Sequence, residues 1–343
     1  MKKAVLLWVL VLLCICGKTV EAADSKADAI MSEVEKAMKE VKVVGATMTV
    51  EGNLFMEIEV DSNTGVTKMA GLMGSTMWID QRTNIAYLYD EETSEYYFMP
   101  MDDSDIEDNV EYVEYTAEID NTLTFTYVGE EIYSVKNENV ECYKLLAEDP
   151  KDPSKTYYYY IRKDTYRLCG VDATSVLVKI QYYYPDSVTI PQEVKQKAKI
   201  APDAMVTQNG IDYIVRYVKK KPVIYVYDGR KAKGKVKIPE TVKICGKQYK
   251  VQGINGEAFK NNKKITSVII GKNVRTIDKQ AFYGCKKLKN VTIKSSVLTK
   301  IGKKAFYKNA KTLKFKVPKK KASKYESLIR KSKSSSEIKI SKY

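Results

Sequence analysis

The carboxylates of one short acidic stretch are the side chains best placed to do chemistry. They could in principle hold a metal ion or act as a general acid and base. Their spacing matches no calcium-binding loop, and no glycine supplies the turn that such a loop needs. A solvated acidic loop is therefore the favoured interpretation. The stretch contains Asp102, Asp103, Asp105, Glu107 and Asp108.

Histidine is absent from all 343 residues. This excludes Ser-His-Asp and Cys-His catalysis, zinc sites built on imidazole, and pH switching near neutrality. A glycosidase would need two carboxylates converging about 5–9 Å apart, and the sequence offers no pattern for such a pair. We therefore expect a protein that is not an enzyme, with no catalytic residues, no metal site and no cofactor.

The N-terminus has the three-part layout of a secretory signal. Lys2 and Lys3 precede an uncharged apolar run at 5–16, and Val20-Glu21-Ala22 supplies small residues for a signal peptidase. The run is well short of the ~20 residues needed to span a bilayer. We therefore expect residues 1–22 to be a signal peptide and the mature chain to lack a transmembrane segment.

A lipoprotein signal is the alternative interpretation of this N-terminal segment. The run from Leu13 to Gly17 loosely resembles the lipid-attachment box of bacterial lipoproteins, with Cys16 as the acceptor. The residue before that cysteine is normally small, and here it is Ile15. Release after Ala22 is therefore favoured, which predicts a secreted or cell-surface protein. Lipidation at Cys16 would make the chain a lipoprotein.

Four cysteines remain after the signal peptide: Cys142, Cys169, Cys245 and Cys285. Their spacing does not determine a pairing. Cys142 and Cys169 fall on predicted strands that a third strand separates, so we expect them to lie too far apart to form a disulfide. Four free and mostly buried thiols are the favoured interpretation.

Charge divides the mature chain into two parts. Residues 216–343 contain 38 Lys and Arg against 6 Asp and Glu, whereas residues 1–215 contain 20 basic and 37 acidic residues. This asymmetry and the length of the chain predict two domains with separate partners. We place these domains at 23–203 and 204–343.

The acidic half has the pattern of one helix followed by an antiparallel meander. Ser25 can cap the helix, whose apolar stripe consists of Ile30, Val34, Met38 and Val41. From residue 48 to residue 60 apolar residues alternate, apart from a break at Asn53, which indicates a strand or a tight hairpin. Further strands separated by turn residues are predicted at 77–80, 85–89, 96–99, 123–128, 140–146, 156–161, 166–171 and 176–184.

Five segments of this half, in this order, carry a family resemblance: Met77-Trp78-Ile79-Asp80, Glu95-Tyr96-Tyr97, 141–145, 157–161 and 190–194. Residues 24–200 thereby resemble the LolA-like and LppX-like lipoprotein-carrier fold. The resemblance implies a curved antiparallel sheet, a half-barrel, that wraps a helix around a cavity for a lipid or other apolar ligand. The same apolar residues could instead pack as a core between sheet and helix, and this interpretation is favoured.

Internal repeats dominate the basic half. Ala258-Phe259, Ala281-Phe282 and Ala305-Phe306 stand 23 and 24 residues apart. Units of this length cannot bury their apolar faces alone, so successive units stack around one continuous core. We expect paired apolar residues, ten and twelve positions after each alanine, to point inward from short parallel strands. These pairs are Val268 and Ile270, Val291 and Ile293, and Phe315 and Val317.

Three segments identify these repeats by resemblance. Residues 237–251, 282–288 and 318–340 look like the opening half-repeat, the core repeat and the closing cap of BspA-like leucine-rich repeats of bacterial surface proteins. The resemblance runs from about Gly210 to the end of the chain. It implies a short β-solenoid that binds host or cell-surface macromolecules. The expected fold class is α+β, with the half-barrel followed by this leucine-rich-repeat solenoid.

Strand side chains alternate, so the residues between the inward pairs must face outward. Clustered lysines on such a surface attract polyanions, which predicts anionic polymers (teichoic acid, acidic or sulfated glycans) or a surface protein as the partner. Aromatic residues outside core positions are few, which argues against a dedicated nucleic-acid partner. The candidate binding residues are Ser267, Ile269, Lys272, Asn290, Thr292, Lys294, Lys314 and Lys316.

Two functions stay open at this point. The favoured one is a secreted or cell-surface binding protein whose repeats mediate adhesion to, or association with, anionic cell-wall or host-surface polymers. The alternative is an envelope carrier or sensor of a lipid or other apolar ligand, held in the N-terminal half-barrel. Bound lipid in the purified protein would favour the carrier. The basic half could also dock on the acidic half of the same chain.

Overall fold

The computed structural model describes residues 25–71, 74–101, 123–150, 152–173, 177–333 and 337–343. The predicted signal peptide and the acidic stretch at 102–108 lie outside these residues. The described chain is mostly strand with few helices. It divides into two compact units, Met1–Lys199 (unit 1) and Ile200–Tyr343 (unit 2). No helix in the described ranges is long and apolar enough to cross a membrane.

Unit 1 combines helix α1 (Ser25–Lys39) and the short helix α2 (Gln192–Lys197) with one sheet, which joins two antiparallel meanders side by side. The strand order is β12-β6-β5-β4-β3-β2-β1-β11-β10-β9-β8-β7, and the sheet is not closed. The break in alternation at Asn53 follows the two-residue turn Glu51–Gly52 of a hairpin, in which Asn53 begins β2 and pairs with Val50. The strands are β1 (Val43–Val50), β2 (Asn53–Asp61), β3 (Val66–Ala70), β4 (Ser75–Asp80), β5 (Ile85–Asp90), β6 (Glu95–Pro100), β7 (Thr124–Val135), β8 (Glu138–Asp149), β9 (Asp152–Arg162), β10 (Leu168–Ala173), β11 (Val178–Tyr183) and β12 (Lys199–Ile200).

Helix α1 packs its apolar stripe on one face of this sheet. Ile30 and Val34 are buried, as the helical spacing predicts, and Met38 and Val41 are half-buried against the same cluster. The sheet side of the contact includes residues from β8, β9 and β10. Apolar side chains of the helix therefore occupy this face, which favours a packed core over a ligand cavity. The fully buried sheet residues in this inner cluster are Leu145, Ala147, Ile161 and Leu168.

A second apolar cluster covers the opposite face of the same strands. Strand β7 contributes to both faces because a bulge between Tyr127 and Gly129 shifts its register, and one extra residue reverses which side chains face the core. Phe125 therefore packs towards α1, whereas Tyr133 packs on the other face. We call this second group the outer cluster: Tyr133, Val135, Val140, Cys142, Tyr160 and Cys169.

Gly170 makes room for the central ring of the outer cluster. A Cβ at this position would lie 2.3 Å from the ring of Tyr133. That ring is fixed, because it stacks on Tyr160 at a centroid distance of 4.1 Å and its hydroxyl donates a 2.8 Å hydrogen bond to Asp172. We expect Gly170→Ala to lower the free energy of unfolding by about 1–3 kcal/mol, measured by urea denaturation.

A double-mutant cycle isolates this clash. In a Tyr133→Ala background, the added methyl of Gly170→Ala meets no ring. The loss of free energy of unfolding caused by Gly170→Ala should therefore be close to zero in that background. An equal cost of Gly170→Ala in both backgrounds would show that the ring does not determine the need for glycine.

Asp61 ends β2 and ties it to the segment before α2. The side chain is 1% exposed. Its carboxylate accepts backbone hydrogen bonds from Asn63 (2.8 Å), Thr64 (3.1 Å) and Val188 (2.9 Å). Burial raises the pKa of Asp61, but these hydrogen bonds to the charged form outweigh burial and hold the pKa below its ordinary value.

A carboxylate whose pKa is lowered by folding makes the free energy of unfolding depend on pH. Its contribution is present above the unfolded pKa of about 3.9 and is lost as the pH falls through the folded pKa. We expect Asp61→Asn to lower the free energy of unfolding at pH 7 by about 1–3 kcal/mol and to reduce the loss of stability below pH 5. Urea melts from pH 3 to pH 7 measure both effects.

Asp80 offers the matched control. Its carboxylate accepts backbone hydrogen bonds from Arg82 (3.1 Å) and Thr83 (3.2 Å) in a similar but more exposed turn. We expect Asp80→Asn to lower the free energy of unfolding at pH 7 by less than Asp61→Asn does. A larger cost for Asp80→Asn than for Asp61→Asn would contradict the importance of the buried carboxylate.

Unit 2 begins with antiparallel strands and continues with two ladders of parallel strands. One ladder has the order β15-β18-β20-β22, and the other has the order β16-β19-β21-β23-β24. Helix α3 (Ala322–Lys331) precedes the last strand. The strands are β13 (Met205–Gln208), β14 (Ile211–Val218), β15 (Lys221–Asp228), β16 (Gly234–Lys237), β17 (Thr241–Ile244), β18 (Lys247–Ile254), β19 (Ile265–Ile270), β20 (Thr276–Ile277), β21 (Asn290–Ile293), β22 (Lys300–Ile301), β23 (Thr312–Val317) and β24 (Glu337–Lys342).

The core of unit 2 repeats with the period of the sequence. Phe259, Phe282 and Phe306 are each 0% exposed and form one stack, with ring centroids 4.7 and 5.1 Å apart and interplanar angles of 9° and 4°. The inward pairs of β19, β21 and β23 are at most 1% exposed. Each repeat thus supplies one ring and one pair of strand residues to a continuous core, as the 23- and 24-residue spacing predicts.

Candidate functional site

The outward side chains of the second ladder form two rows across its strands. After a register shift between Gly234 and Lys235, pairing stays in register across the ladder, so equivalent positions of successive strands stand side by side. Adjacent strands lie about 4.8 Å apart, so five strands span about 19 Å. Row 1 consists of Lys235, Ser267, Asn290, Lys314 and Lys339, and row 2 consists of Lys237, Ile269, Thr292, Lys316 and Ser341.

Six of the eight candidate residues lie in these rows. Ser267 and Asn290 stand next to Lys314 in row 1, and Ile269 and Thr292 stand next to Lys316 in row 2. The other two, Lys272 and Lys294, lie after the ends of β19 and β21. Both of these lysines are exposed. Lys272 Nζ is 3.1 Å from a carboxylate oxygen of Glu240, which offsets part of its charge.

Sequence reasoning missed three lysines of the rows. Lys235 and Lys237 lie on β16, before the first complete repeat, and Lys339 lies on β24, after the last one. The sequence does contain a pattern that could have revealed Lys235 and Lys237. They alternate with Val236 and Ile238, which are 6% and 0% exposed. Alternation of this kind marks a strand with one buried face.

Four lysines of the rows flank a neutral centre, and the fifth, Lys339, lies beside Lys314 with its Nζ 3.5 Å from a carboxylate oxygen of Glu337. Lys235 and Lys237 are on one side, Lys314 and Lys316 are on the other, and all four are exposed. No ion pair among the described residues includes any of these four lysines, although Lys316 Nζ lies 5.6 Å from the ring centroid of Tyr343. Their positive charges are therefore available to an anionic ligand that lies along the rows.

An open groove of about 890 Å³ near the first repeat is another surface of unit 2 that carries several charged residues. Two of its lining cations are already paired: Arg230 with Asp228, and Lys260 with Glu257 at 3.0 Å. Its lining also combines both signs of charge. The rows therefore offer a polyanion more uncompensated positive charge than this groove does.

Carboxylates and thiols are the remaining side chains that could bind a metal ion or react as nucleophiles. Within the described ranges, no group of three or more Cys, Asp or Glu side chains is arranged to hold a metal ion. The four cysteines are free thiols, and Cys142, Cys169 and Cys285 are buried whereas Cys245 is half-buried. Burial raises the pKa of the Cys285 thiol to about 12 and also raises the pKa of Cys245, so neither is an activated nucleophile.

Several solved structures are similar to this chain. The lipoprotein LppX of Mycobacterium tuberculosis is 12% identical, and the match covers 49% of this chain and 100% of that chain with a TM-score of 0.36. A leucine rich cell surface protein from Faecalibacterium prausnitzii is 20% identical, with 40% of this chain and 42% of that chain covered and a TM-score of 0.28. The match therefore spans less than half of that protein's length.

A leucine-rich repeat protein from Bacteroides capillosus is 19% identical, with 40% of this chain and 98% of that chain covered and a TM-score of 0.29. No curated protein matches the chain. One family model matches it, over six copies of a repeat that include strands β19, β21, β23 and β24. Residues 252–343 thus match the family model described as a BspA type leucine rich repeat region.

Proposed function

We propose that this chain is an exported, non-enzymatic bacterial surface protein whose C-terminal repeats bind anionic polymers of the cell wall or of a host surface. The observation that carries the proposal is the pair of rows, in which four exposed lysines without an ion partner among the described residues flank an uncharged centre. The repeats form a short leucine-rich-repeat β-solenoid that fixes these lysines on one face.

Charge explains why a polyanion is the favoured partner. Residues 216–343 carry 38 basic and only 6 acidic residues, and a surface that needed charge only for solubility would contain both signs. A polymer that binds several lysines releases its condensed counterions, so affinity is high at low salt and falls steeply as salt rises. A linear chain lying along the rows can reach both lysine pairs across about 14 Å, which is three strand spacings.

Unit 1 has a separate role in this proposal. Its inner cluster is packed by α1 side chains, with Leu145 and Ile161 fully buried against the helix. We therefore assign it a spacer or docking role and give carriage of an apolar ligand second place. Lipid extracted from the purified protein and identified by mass spectrometry would reverse this order.

A pair of polymers that differ only in charge tests the proposal. We expect the full chain to bind dextran sulfate and poly(glycerol phosphate), with log Kd rising linearly with log salt, and to leave uncharged dextran unbound. Isothermal titration calorimetry between 25 and 300 mM salt measures this dependence. Equal binding to dextran and dextran sulfate, or no binding to either anionic polymer at 25 mM salt, would contradict the proposal and point to a surface protein as the partner.

A further inference from the structure

The β7–β8 hairpin of unit 1 folds back over the outer face of the sheet. Its turn residues, Lys136 and Asn137, both have positive φ, as a two-residue hairpin turn requires. Three strands separate β7 from β11 in the sheet order, but the hairpin tip contacts β11 directly. Gln181 Nε2 donates a 2.6 Å hydrogen bond to the Ser134 carbonyl oxygen, and Lys136 Nζ lies 3.9 Å from the ring centroid of Tyr183. These contacts hold the tip against the end of β11.

A pocket of about 400 Å³ lies beside this tip. It is bounded by the hairpin tip, by the turn between β9 and β10, and by the end of β11. Its volume is at the lower end of the range for small-ligand sites, roughly 300–1,000 Å³. Tyrosine rings form part of its wall, and its charged lining consists of Lys136, Glu138, Arg162 and Arg167.

Arg167 is the cation of this lining that takes part in no ion pair within the described ranges. By contrast, Lys136 pairs with Glu57, and Arg162 Nε lies 3.1 Å from a carboxylate oxygen of Asp164. The guanidinium of Arg167 also donates no side-chain hydrogen bond within those ranges. Its charge and its N–H donors are therefore available to a ligand in the pocket.

Tyr184 fixes the position of the Arg167 side chain. The guanidinium carbon lies 5.0 Å from the ring centroid, an arrangement that cation–π attraction stabilises. The Tyr184 hydroxyl donates a 2.7 Å hydrogen bond to the Leu168 carbonyl oxygen, which holds the ring in place. Burial raises the pKa of both Tyr183 and Tyr184, so both rings stay uncharged at neutral pH. A guanidinium that is already positioned loses little conformational freedom when it binds.

We propose that this pocket binds a small ligand that carries a carboxylate or phosphate group on a flat, apolar body. Arg167 donates paired hydrogen bonds to two oxygens of the anionic group, which is the geometry that a guanidinium favours. The tyrosine rings contact the flat body of the ligand. Glu138 also lines the pocket, but Arg162 Nη2 lies 3.7 Å from its carboxylate, and the lining keeps an excess of positive charge. This inference concerns unit 1 alone and is independent of polymer binding by the rows.

Three ligands with the same two-ring body test the pocket: 2-naphthoate, 2-naphthyl phosphate and the neutral 2-naphthylmethanol. The full chain is titrated at about 0.15 M salt, where screening weakens binding to exposed charges. We expect both anions to bind with a Kd of about 1 mM or lower and the alcohol to bind about tenfold more weakly or less. The NMR signal of the Arg167 Nε–H group should shift with either anion. The anion that binds more tightly identifies the natural ligand as a carboxylate or as a phosphate.

Two arginine variants supply the comparison. Arg167→Gln should weaken binding of both anions about tenfold or more, as expected for a lost pair of charge-assisted hydrogen bonds, and leave binding of the alcohol unchanged. Arg82→Gln removes the same charge from the turn between β4 and β5, outside the pocket, and should change Kd less than about twofold. The variant with all four row lysines replaced by glutamine should bind the anions as the parent does, so this test is separate from that of the rows.

Three results would overturn the proposal. They are equal affinity for the anions and the alcohol, an equal loss of affinity in the Arg167→Gln and Arg82→Gln variants, and an Arg167 Nε–H signal that does not move at saturating anion. The last measurement uses the parent protein, so it decides the matter even where Arg167→Gln does not fold.

Discussion

Replacing Lys235, Lys237, Lys314 and Lys316 with glutamine together will weaken binding to poly(glycerol phosphate) at least tenfold at low salt. It will also flatten the salt dependence, because each lysine that loses a polymer contact lowers the slope of log Kd against log salt by about one. These four side chains are exposed and belong to no ion pair in the described part of the chain. Titrations at four salt concentrations measure both changes.

A charge-matched variant separates the rows from net charge. Lys303, Lys320, Lys324 and Lys331 are also exposed and lie outside both rows, on or near α3. Replacing them with glutamine removes the same total charge, so we expect a loss of affinity below threefold and a slope reduced by less than one. If the two quadruple variants behave alike, binding depends on the overall charge of unit 2 and not on the rows.

The second large effect concerns the stack of phenylalanine rings in the core of unit 2, which supports the strands that carry the rows. Phe282 is fully buried between Phe259 and Phe306, whose ring centroids lie 4.7 and 5.1 Å away. We expect Phe282→Ala to lower the free energy of unfolding of unit 2 by about 3–5 kcal/mol, because it leaves a cavity in the centre of a continuous core. The melting temperature should fall by about 10 °C or more.

The neighbouring ring provides the comparison. Tyr283 is half-buried and contacts Tyr307 at a centroid distance of 5.9 Å on the outside of the same turn. Tyr283→Ala should cost clearly less than Phe282→Ala in a calorimetric or urea melt. Equal costs, or a Phe282→Ala variant that melts with the parent protein, would contradict a core built on the phenylalanine stack.

The repeat period explains why so much of unit 2 could be predicted. A fixed spacing of 23 or 24 residues forces equivalent positions into register, so Ser267 must stand beside Asn290 and Ile269 beside Thr292. The period ends at the first and last strands. Lys235, Lys237 and Lys339 were therefore missed, although their strands continue the same ladder.

Unit 1 was harder to predict because pairing alone does not determine how a sheet bends. The separation of Cys142 from Cys169 by β9 followed from strand order, but the bulge at Cys169 depends on tertiary packing that leaves no mark in the hydrophobic pattern. Strand β3 (Val66–Ala70) was also missed, since it is short and Lys68 interrupts it. The helical stripe of α1 was clear because Ile30 and Val34 recur at the helical period.

Protection of individual lysines is the most direct test of the central claim that the rows bind polyanions. The full chain is treated briefly with an amine-acylating reagent, with and without poly(glycerol phosphate), and each lysine is quantified by mass spectrometry. We expect Lys235, Lys237, Lys314 and Lys316 to react several-fold more slowly with the polymer present, while Lys324 on α3 reacts at an unchanged rate. Protection spread evenly over all exposed lysines, or confined to lysines outside the rows, would contradict the claim.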